Sequence, residues 1–305
     1  MKHLLSTTEV TKDEVEFILG CALDMEKQCK RGKIKKILED KIIACIFFEP
    51  STRTRLSFET AALRLGAQVI SAEDASSNGS THKGETTEDT TRIISCYADV
   101  MVMRHHEQGA SERAAKVSTI PIINAGDGAH EHPTQGLLDL YTIKKEHGRT
   151  DNLTIAFVGD LKNSRTLRSL VPLLTLYPKN TFYFVSPKEL TLPAEYTKAL
   201  NDKGIQFVVA DTMDEALKNA DVLYMTRVQK ERFENLDEYE RVKDAFLLKL
   251  SHVQMMKKDA IVMHPLPRVN EIEHAIDADP RAAYFRQAQN GLYVRMALLA
   301  CALDL

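Results

Sequence analysis

The sequence predicts an α/β fold of two domains, each a mainly parallel sheet with helices on both faces, the two joined by hinge helices. Three observations carry that expectation. Runs such as Ile42-Ile43-Ala44-Cys45-Ile46-Phe47 have strand length and no polar alternation, the pattern of a parallel strand buried on both faces. Helical patterns separate one such run from the next, which calls for crossover connections and parallel sheets. The series also halts at Gly148-Arg149-Thr150-Asp151 and restarts at Leu153, so the 305 residues fall into two domains of ordinary size.

Each element has its own local reason. Over 11–32, Val15, Ile18, Leu19, Ala22 and Met25 recur at helical spacing, and Thr11 with Glu14 forms a capping box. The basic run 27–41 reads as a solvated face and linker. After the strand at 42–47, Phe58, Ala61, Ala62 and Leu65 mark an amphipathic helix that Gly66 stops. Next come a short strand at 68–70, a polar loop over 71–84 and a helix from about 85 to 97. A strand at 99–103 ends on Arg104-His105, a helix covers 110–117, and a strand at 120–123 leads into a loop over 124–131. From His132-Pro133-Thr134-Gln135 a long helix continues through Leu137, Leu138, Tyr141, Thr142 and Lys145. In the second series the expected strands are 153–158, 181–185, 205–209, 222–225 and 260–263. Helices are expected at 165–175, 194–203 and 213–219. An apolar helix closes the chain over 287–305. The resulting domains are 1–133, with the helix 288–305 packing back on it, and 134–287.

Composition excludes several classes. A formal net charge of −3 argues against a general nucleic-acid binder. No apolar run has the length to span a bilayer, and the start is too short in apolar residues for a signal peptide. Cys21, Cys29, Cys45, Cys96 and Cys301 are odd in number and scattered, without a Cys-x-x-Cys pair. They read as reduced thiols of a cytoplasmic protein.

The most informative stretch is Phe47-Phe48-Glu49-Pro50-Ser51-Thr52-Arg53-Thr54-Arg55, between a buried strand and a helix. A helix start offers free N–H groups and a positive dipole end to an anion. Three hydroxyls (Ser51, Thr52, Thr54) and two guanidinium groups (Arg53, Arg55) add the donors that phosphate oxygens take. An N-cap hydroxyl with surface arginines is the plainer alternative, but it accounts for one hydroxyl and not three. Other polar clusters also follow strands, where ligands bind in open α/β sheets: Arg104-His105, 124–135, 160–165, Arg227-Val228-Gln229 and His264-Pro265-Leu266-Pro267-Arg268. Gathered in one crevice, they are rich in arginine and hold no nucleophile-base pair. That suits a polyanionic substrate and a reaction run by positioning and charge stabilisation. Arg165, Arg227 and Arg268 could each be salt-bridge partners instead; their placement after successive strands favours the site. Val158-Gly159-Asp160 lacks Gly-x-Gly-x-x-Gly, and no nucleotide phosphate loop is present. His130-Glu131-His132 has poor spacing for zinc.

Taken together these stretches resemble the aspartate/ornithine carbamoyltransferase family. The resemblance is carried by Ser51-Thr52-Arg53-Thr54-Arg55, Lys83-Gly84-Glu85, Arg104-His105, Asn124-Ala125-Gly126-Asp127-Gly128, His132-Pro133-Thr134-Gln135, Thr226-Arg227-Val228-Gln229 and His264-Pro265-Leu266-Pro267-Arg268, so it covers the whole chain. Arg-Val-Gln and His-Pro-Leu-Pro are similar to the aspartate branch, since ornithine enzymes carry a cysteine-containing His-Cys-Leu-Pro.

The resemblance implies carbamoyl phosphate and L-aspartate as substrates, and pyrimidine synthesis as the setting. It further implies a homotrimer with shared active sites, no metal and no cofactor, and it leaves room for separate regulatory chains. Ser51, Thr52, Arg53 and Thr54 would hold the phosphate. Thr54, Arg104 and His132 would approach the carbonyl oxygen, while Gln135 and the carbonyls of Pro265 and Leu266 would receive the carbamoyl NH₂. Arg165, Arg227 and Gln229 would bind the aspartate carboxylates. Lys83 would reach in from a neighbouring subunit, with Ser80 beside it, because Gly79 stands where the family carries a serine. Glu49 and Arg232 would pair between domains. A carbamoyltransferase for another amine such as ornithine, and a catalytically silent scaffold motivated by Gly79, are the alternatives.

Overall fold

The computed structural model describes residues 2–73, 84–229, 233 and 235–305. The chain forms two compact units. The first comprises Met1–Tyr141, Arg168–Leu173 and Gln289–Leu305, and the second Thr142–Leu167 and Leu174–Ala288.

In the first unit, α1 (Lys12–Lys30) starts on the Thr11–Glu14 capping box. A four-stranded parallel sheet follows, built from β1 (Ile42–Phe47), β2 (Gln68–Glu73), β3 (Val100–His105) and β4 (Ile122–Asp127), in the order β2-β1-β3-β4. Both faces of β1 are buried, which is why its sequence is apolar without alternation. Ala44, Ile46 and Phe48 pack with Met101 and Met103 against Ala110 and Ala114 of the helix α4 (Ala110–Val117). The helix α2 (Thr52–Arg64) packs on β1 and β2, and α3 (Thr87–Ser95) on β3 and α4. Gly66, at φ 95°, accepts the left-handed turn that ends α2. The long helix α5 (Pro133–His147) then begins in this unit.

Two strands of the first unit run well into segments expected to be loop. β2 runs on to Glu73, and β4 runs through Asn124, Ala125 and Gly126 to Asp127, where a loop was expected. The polar residues of β4 are all buried, and their needs are met locally. Asn124 Nδ2 donates to the Leu5 carbonyl at 2.9 Å, and the Gly126 N–H donates to Asn124 Oδ1 at 2.8 Å. The outer edge of β4 is covered by the N-terminal segment. Leu4 bridges Ile123 in parallel, while Ser6 and Thr7 hydrogen-bond the buried Glu131 carboxylate.

In the second unit, β5 (Thr154–Val158), β6 (Thr181–Val185), β7 (Gln206–Ala210), β8 (Val222–Met225) and β9 (Ile261–Met263) form a parallel sheet in the order β7-β6-β5-β8-β9. The helices here are α6 (Arg165–Leu174), α7 (Ala194–Asp202), α8 (Asp214–Asn219), α9 (Leu236–Val242) and α10 (Leu250–Met255); residues 168–173 of α6 count with the first unit. One sheet face, with Ala156, Val158, Leu223, Met225 and Val262, packs on Ala216 and Leu217 of α8 and Val253 of α10. The other face is aromatic: Phe157 lies 5.7 Å from Phe184 and 5.6 Å from Tyr224, ring centre to ring centre. The last helix, α11 (Tyr284–Ala302), enters the first unit from residue 289 onward.

Candidate active site

Each sheet has one place where neighbouring strands send their connections in opposite directions. In the first unit it lies between β1 and β3, and in the second between β5 and β8. Such switch points open a crevice at the carboxyl ends of the strands. Ser51–Thr54 and Arg104 follow β1 and β3 at the first, and Arg165, Arg227 and Gln229 follow β5 and β8 at the second, while His132 and Gln135 come after β4.

In the first unit Phe47 and Arg104 are register partners, and the Phe48 N–H donates to the Arg104 carbonyl at 2.8 Å. Strand pairing thus fixes the start of the Ser51 loop beside the end of β3. Ser51 precedes α2 with φ −159°, but its hydroxyl makes no capping bond. Thr52 and Arg53 are exposed, and Thr54 is buried. Arg104 is 7 % exposed, with Nε 3.2 Å from Glu49 Oε2. That ion pair gives Glu49 a partner within its own unit; Arg232, its expected partner, lies outside the described residues, as do Gly79, Ser80 and Lys83.

Arg55 corrects the count of guanidinium groups around an anion. It pairs with Glu73 at 2.9 Å and lies 3.7 Å from Glu59. Its charge is thereby committed to β2 and to the next turn of α2. Arg268 is likewise structural. Its guanidinium engages both carboxylate oxygens of Asp277, contacts His274 Nδ1 at 2.8 Å and donates to the Tyr284 hydroxyl at 3.1 Å.

Beside Arg104, His105 is 2 % exposed and accepts the Glu107 N–H on Nδ1 at 2.9 Å, which leaves the proton on Nε2 facing Thr87 Oγ1 at 3.4 Å. Burial, with the neighbouring His106, pushes its pKa down to about 4. The ring is neutral and braces the end of β3.

The loop after β4 is organised by Asp127. Its carboxylate accepts the Gly109 N–H at 2.9 Å and the Glu131 N–H at 3.2 Å, and it lies 3.6 Å from His130. Burial raises this carboxyl, but the bonds from His130, Gly109, Asn124 and Glu131 outweigh it, and the net shift is downward. His130 and Glu131 are thus occupied in holding the loop, with Glu131 serving Ser6 and Thr7. His132, 4 % exposed, is anchored through its N–H to Ser169 Oγ at 2.7 Å. Gly136 permits that approach: a Cβ there would lie 2.8 Å from the Ser169 carbonyl oxygen. Arg168 Nη1 donates to the Ala129 carbonyl at 3.0 Å from the same side. Gln135 is nearly buried, with Nε2 bonded to Asp139.

In the second unit Asp160 is fully buried and was not among the predicted site residues. Its carboxylate takes the Asn163 N–H at 2.9 Å, both Asn163 side-chain contacts, and the backbone of Lys162 and Gln229. Burial raises its pKa, and these bonds offset part of the rise. One carboxylate thus shapes the turn that delivers Arg165 and steadies the strand end that delivers Gln229. The loops are also tied by Gln229 Nε2 donating to the Asn163 carbonyl at 3.2 Å and Thr226 Oγ1 to the Val158 carbonyl at 3.0 Å. Gly159 makes room, since a Cβ there would sit 2.3 Å from the Thr226 carbonyl oxygen. Arg165, Arg227 and Gln229 are half-buried. After β9, His264 Nδ1 accepts the Leu266 N–H at 2.8 Å and Nε2 donates to Glu271 at 2.7 Å. This clamp holds the Leu266 N–H, and with it the turn that carries Pro265 and Leu266. Their carbonyls and the three donors all follow the adjacent strands β5, β8 and β9.

A cradle of hydroxyl and guanidinium donors in one unit and a set of two arginines and an amide in the other can hold a phosphorylated carbonyl compound and a dicarboxylate. Comparison with known proteins agrees. Residues 2–145 match the carbamoyl-P binding domain of aspartate/ornithine carbamoyltransferases, and residues 151–302 match their Asp/Orn binding domain. The aspartate carbamoyltransferase catalytic subunit of Methanocaldococcus jannaschii is 51% identical over 98% of this chain and 97% of its own length. That of Bacteroides fragilis is 48% identical over 98% and 95%. Among solved structures, the M. jannaschii catalytic subunit superposes with a TM-score of 0.93 at 50% identity, covering 100% of this chain and 98% of its own. Aspartate transcarbamoylase from Trypanosoma cruzi in complex with carbamoyl phosphate and aspartate superposes with a TM-score of 0.92 at 39% identity, covering 98% of this chain and 95% of its own.

Proposed function

The chain belongs to the aspartate/ornithine carbamoyltransferase family, and from that premise we infer its reaction: carbamoyl phosphate and L-aspartate give N-carbamoyl-L-aspartate and phosphate. The observation that supports this reading is the division of donors between the two sheets. Thr54 and Arg104 are buried after β1 and β3 and His132 after β4, and Arg165, Arg227 and Gln229 are half-buried after β5 and β8.

In this reading Ser51, Thr52, Arg53 and Thr54 hold the phosphate, with Arg supplying two parallel bonds. Arg165, Arg227 and Gln229 take the two carboxylates of aspartate and leave its α-amine directed at the carbamoyl carbon. The amine attacks as a free base. A C–N bond forms, the carbonyl oxygen becomes an oxyanion, and the C–O bond to phosphate then breaks. Thr54, Arg104 and His132 stabilise that oxyanion, a role in which one donor contributes about 3 kcal/mol. Gln135 and the Pro265 and Leu266 carbonyls accept from the carbamoyl NH₂. The departing phosphate takes the proton that the amine sheds, so no side chain serves as base.

We also infer a cytoplasmic homotrimer acting in pyrimidine biosynthesis. Its sites are completed by Ser80 and Lys83 of a neighbouring subunit, and it has room for separate regulatory chains. The words "catalytic subunit" in the names of the relatives support that last point.

The test is direct. Purified protein with carbamoyl phosphate is assayed separately with L-aspartate and L-ornithine. Carbamoyl-aspartate is expected and citrulline is not. No product from aspartate at saturating carbamoyl phosphate rejects the reading, and citrulline moves the chain to the ornithine branch.

A further inference from the structure

The buried part of α5 carries a charge for which the reaction scheme has no use. Asp139 has no exposed surface, and an ionised carboxylate is held in such a place only with partners. One is electrostatic. Arg295 of α11 is wholly buried; burial pulls its pKa down to about 10, and the charge of Asp139 opposes the fall. The site for its guanidinium is built. A Cβ on Gly291 would lie 2.3 Å from Nη1, and the Phe58 ring of α2 sits with its centroid 5.2 Å from Cζ. A hydrogen-bonded partner is Gln135, one helical turn before Asp139, whose Nε2 donates to Asp139 Oδ1 at 2.8 Å.

This bond has a direction. An ionised carboxylate only accepts, so the end of the Gln135 amide that meets Asp139 must be its NH₂, and the carbonyl oxygen is the end turned away. On a helix surface such a pair is weak and can be exchanged for water. Here the carboxylate is out of reach of water, and turning the amide over would set two acceptors against each other.

We propose that Asp139 is a positioning residue that locks the Gln135 amide with its oxygen toward the ligand, so that this subsite selects a carbamoyl NH₂ over a methyl group in the same place. The inference rests on the proposed substrate and adds the residue that sets the polarity of its recognition. Asp139 itself touches no substrate.

Acetyl phosphate, which carries a methyl where carbamoyl phosphate carries NH₂, is the probe. An amide held to accept a hydrogen bond favours the ligand that donates one by about tenfold. Asp139→Asn presents either end of its own amide to Gln135 and frees it to turn. The expected result is a carbamoyl-over-acetyl preference reduced about fivefold, the Pro265 and Leu266 carbonyls keeping their share, chiefly by weaker carbamoyl phosphate binding. In the Gln135→Ala background the same substitution should leave the ratio unchanged. An equal loss for both ligands, an undiminished preference, or the same drop without Gln135 overturns the proposal and leaves Asp139 a purely structural charge.

Should Asp139→Asn not fold, the wild-type protein decides. The side-chain amide protons of Gln135, identified in NMR spectra by their loss in Gln135→Ala, are expected to exchange with water about 100-fold more slowly than those of exposed glutamines. Unprotected protons refute the lock. A wild-type protein without turnover rejects the proposed reaction, whereas the amide readout reports on the lock alone.

Discussion

The two units prepare their donors differently. In the first, Thr54, Arg104 and His132 are each less than a tenth exposed, and the backbone at Arg104 and His132 is pinned by strand pairing and by Ser169. In the second, Arg165, Arg227 and Gln229 are half-buried at loops whose order depends on Asp160. Fixed dipoles away from water act on developing charge at high strength and without reorganisation. Half-solvated arginines keep part of their hydration and serve binding better than chemistry. Under the proposed reaction, the difference teaches that the donors of the first unit suit the transition state and those of the second the capture of the amine substrate.

The largest expected effect lies on the first side. Arg104→Ala should lower kcat by about 10²–10³, the loss typical of one oxyanion donor, with a smaller change in KM for aspartate. Steady-state kinetics with both substrates varied measures this. Next, Arg227→Ala should raise KM for aspartate by about 10- to 100-fold, since a bond to a charged group contributes about 1.5–3 kcal/mol, while kcat changes less. If Arg227→Ala reduced kcat as severely as Arg104→Ala, the distinction between the units would be lost.

The smallest effect is on stability, and it sharpens what holds the first side in place. His105 has a folded pKa of about 4, below its unfolded value near 6.5, so the unfolded chain binds the extra proton first. Its contribution is complete above pH 6.5 and is lost as pH falls toward 4. Between pH 7 and 5 the loss is about 2 kcal/mol. His105→Gln should flatten the fall of the urea midpoint over that range; an unchanged slope would assign it to other groups.

Much of the fold was legible because both sheets are parallel and their central strands are buried on both faces, so these announce themselves as apolar runs. The strand extension through Asn124 and Gly126 was not. Its polar residues are satisfied by neighbours such as Leu5 that are distant in sequence. The helices Leu236–Val242 and Leu250–Met255 were too short to show a period. The site was legible as a set of motifs, but not in the allegiance of every arginine. Arg53 and Arg55 are two positions apart in α2, about 200° around the helix, so they cannot share a face. Helical geometry alone thus warned against counting both toward one anion. Asp139 left a signal too. It sits among Leu137, Leu138, Leu140 and Tyr141, in the apolar and buried half of its helix, so a lone carboxylate there needed a polar partner.

The Glu131 contact with Ser6 and Thr7 bears on how the protein can be handled. A chain begun at residue 9 would retain every residue of the proposed site and yet strip hydroxyl and amide donors from a carboxylate directly before His132. It would also bare the outer border of β4. Purification tags therefore belong at the opposite terminus, and a shortened variant that folds but turns over slowly would trace its defect to a severed tether.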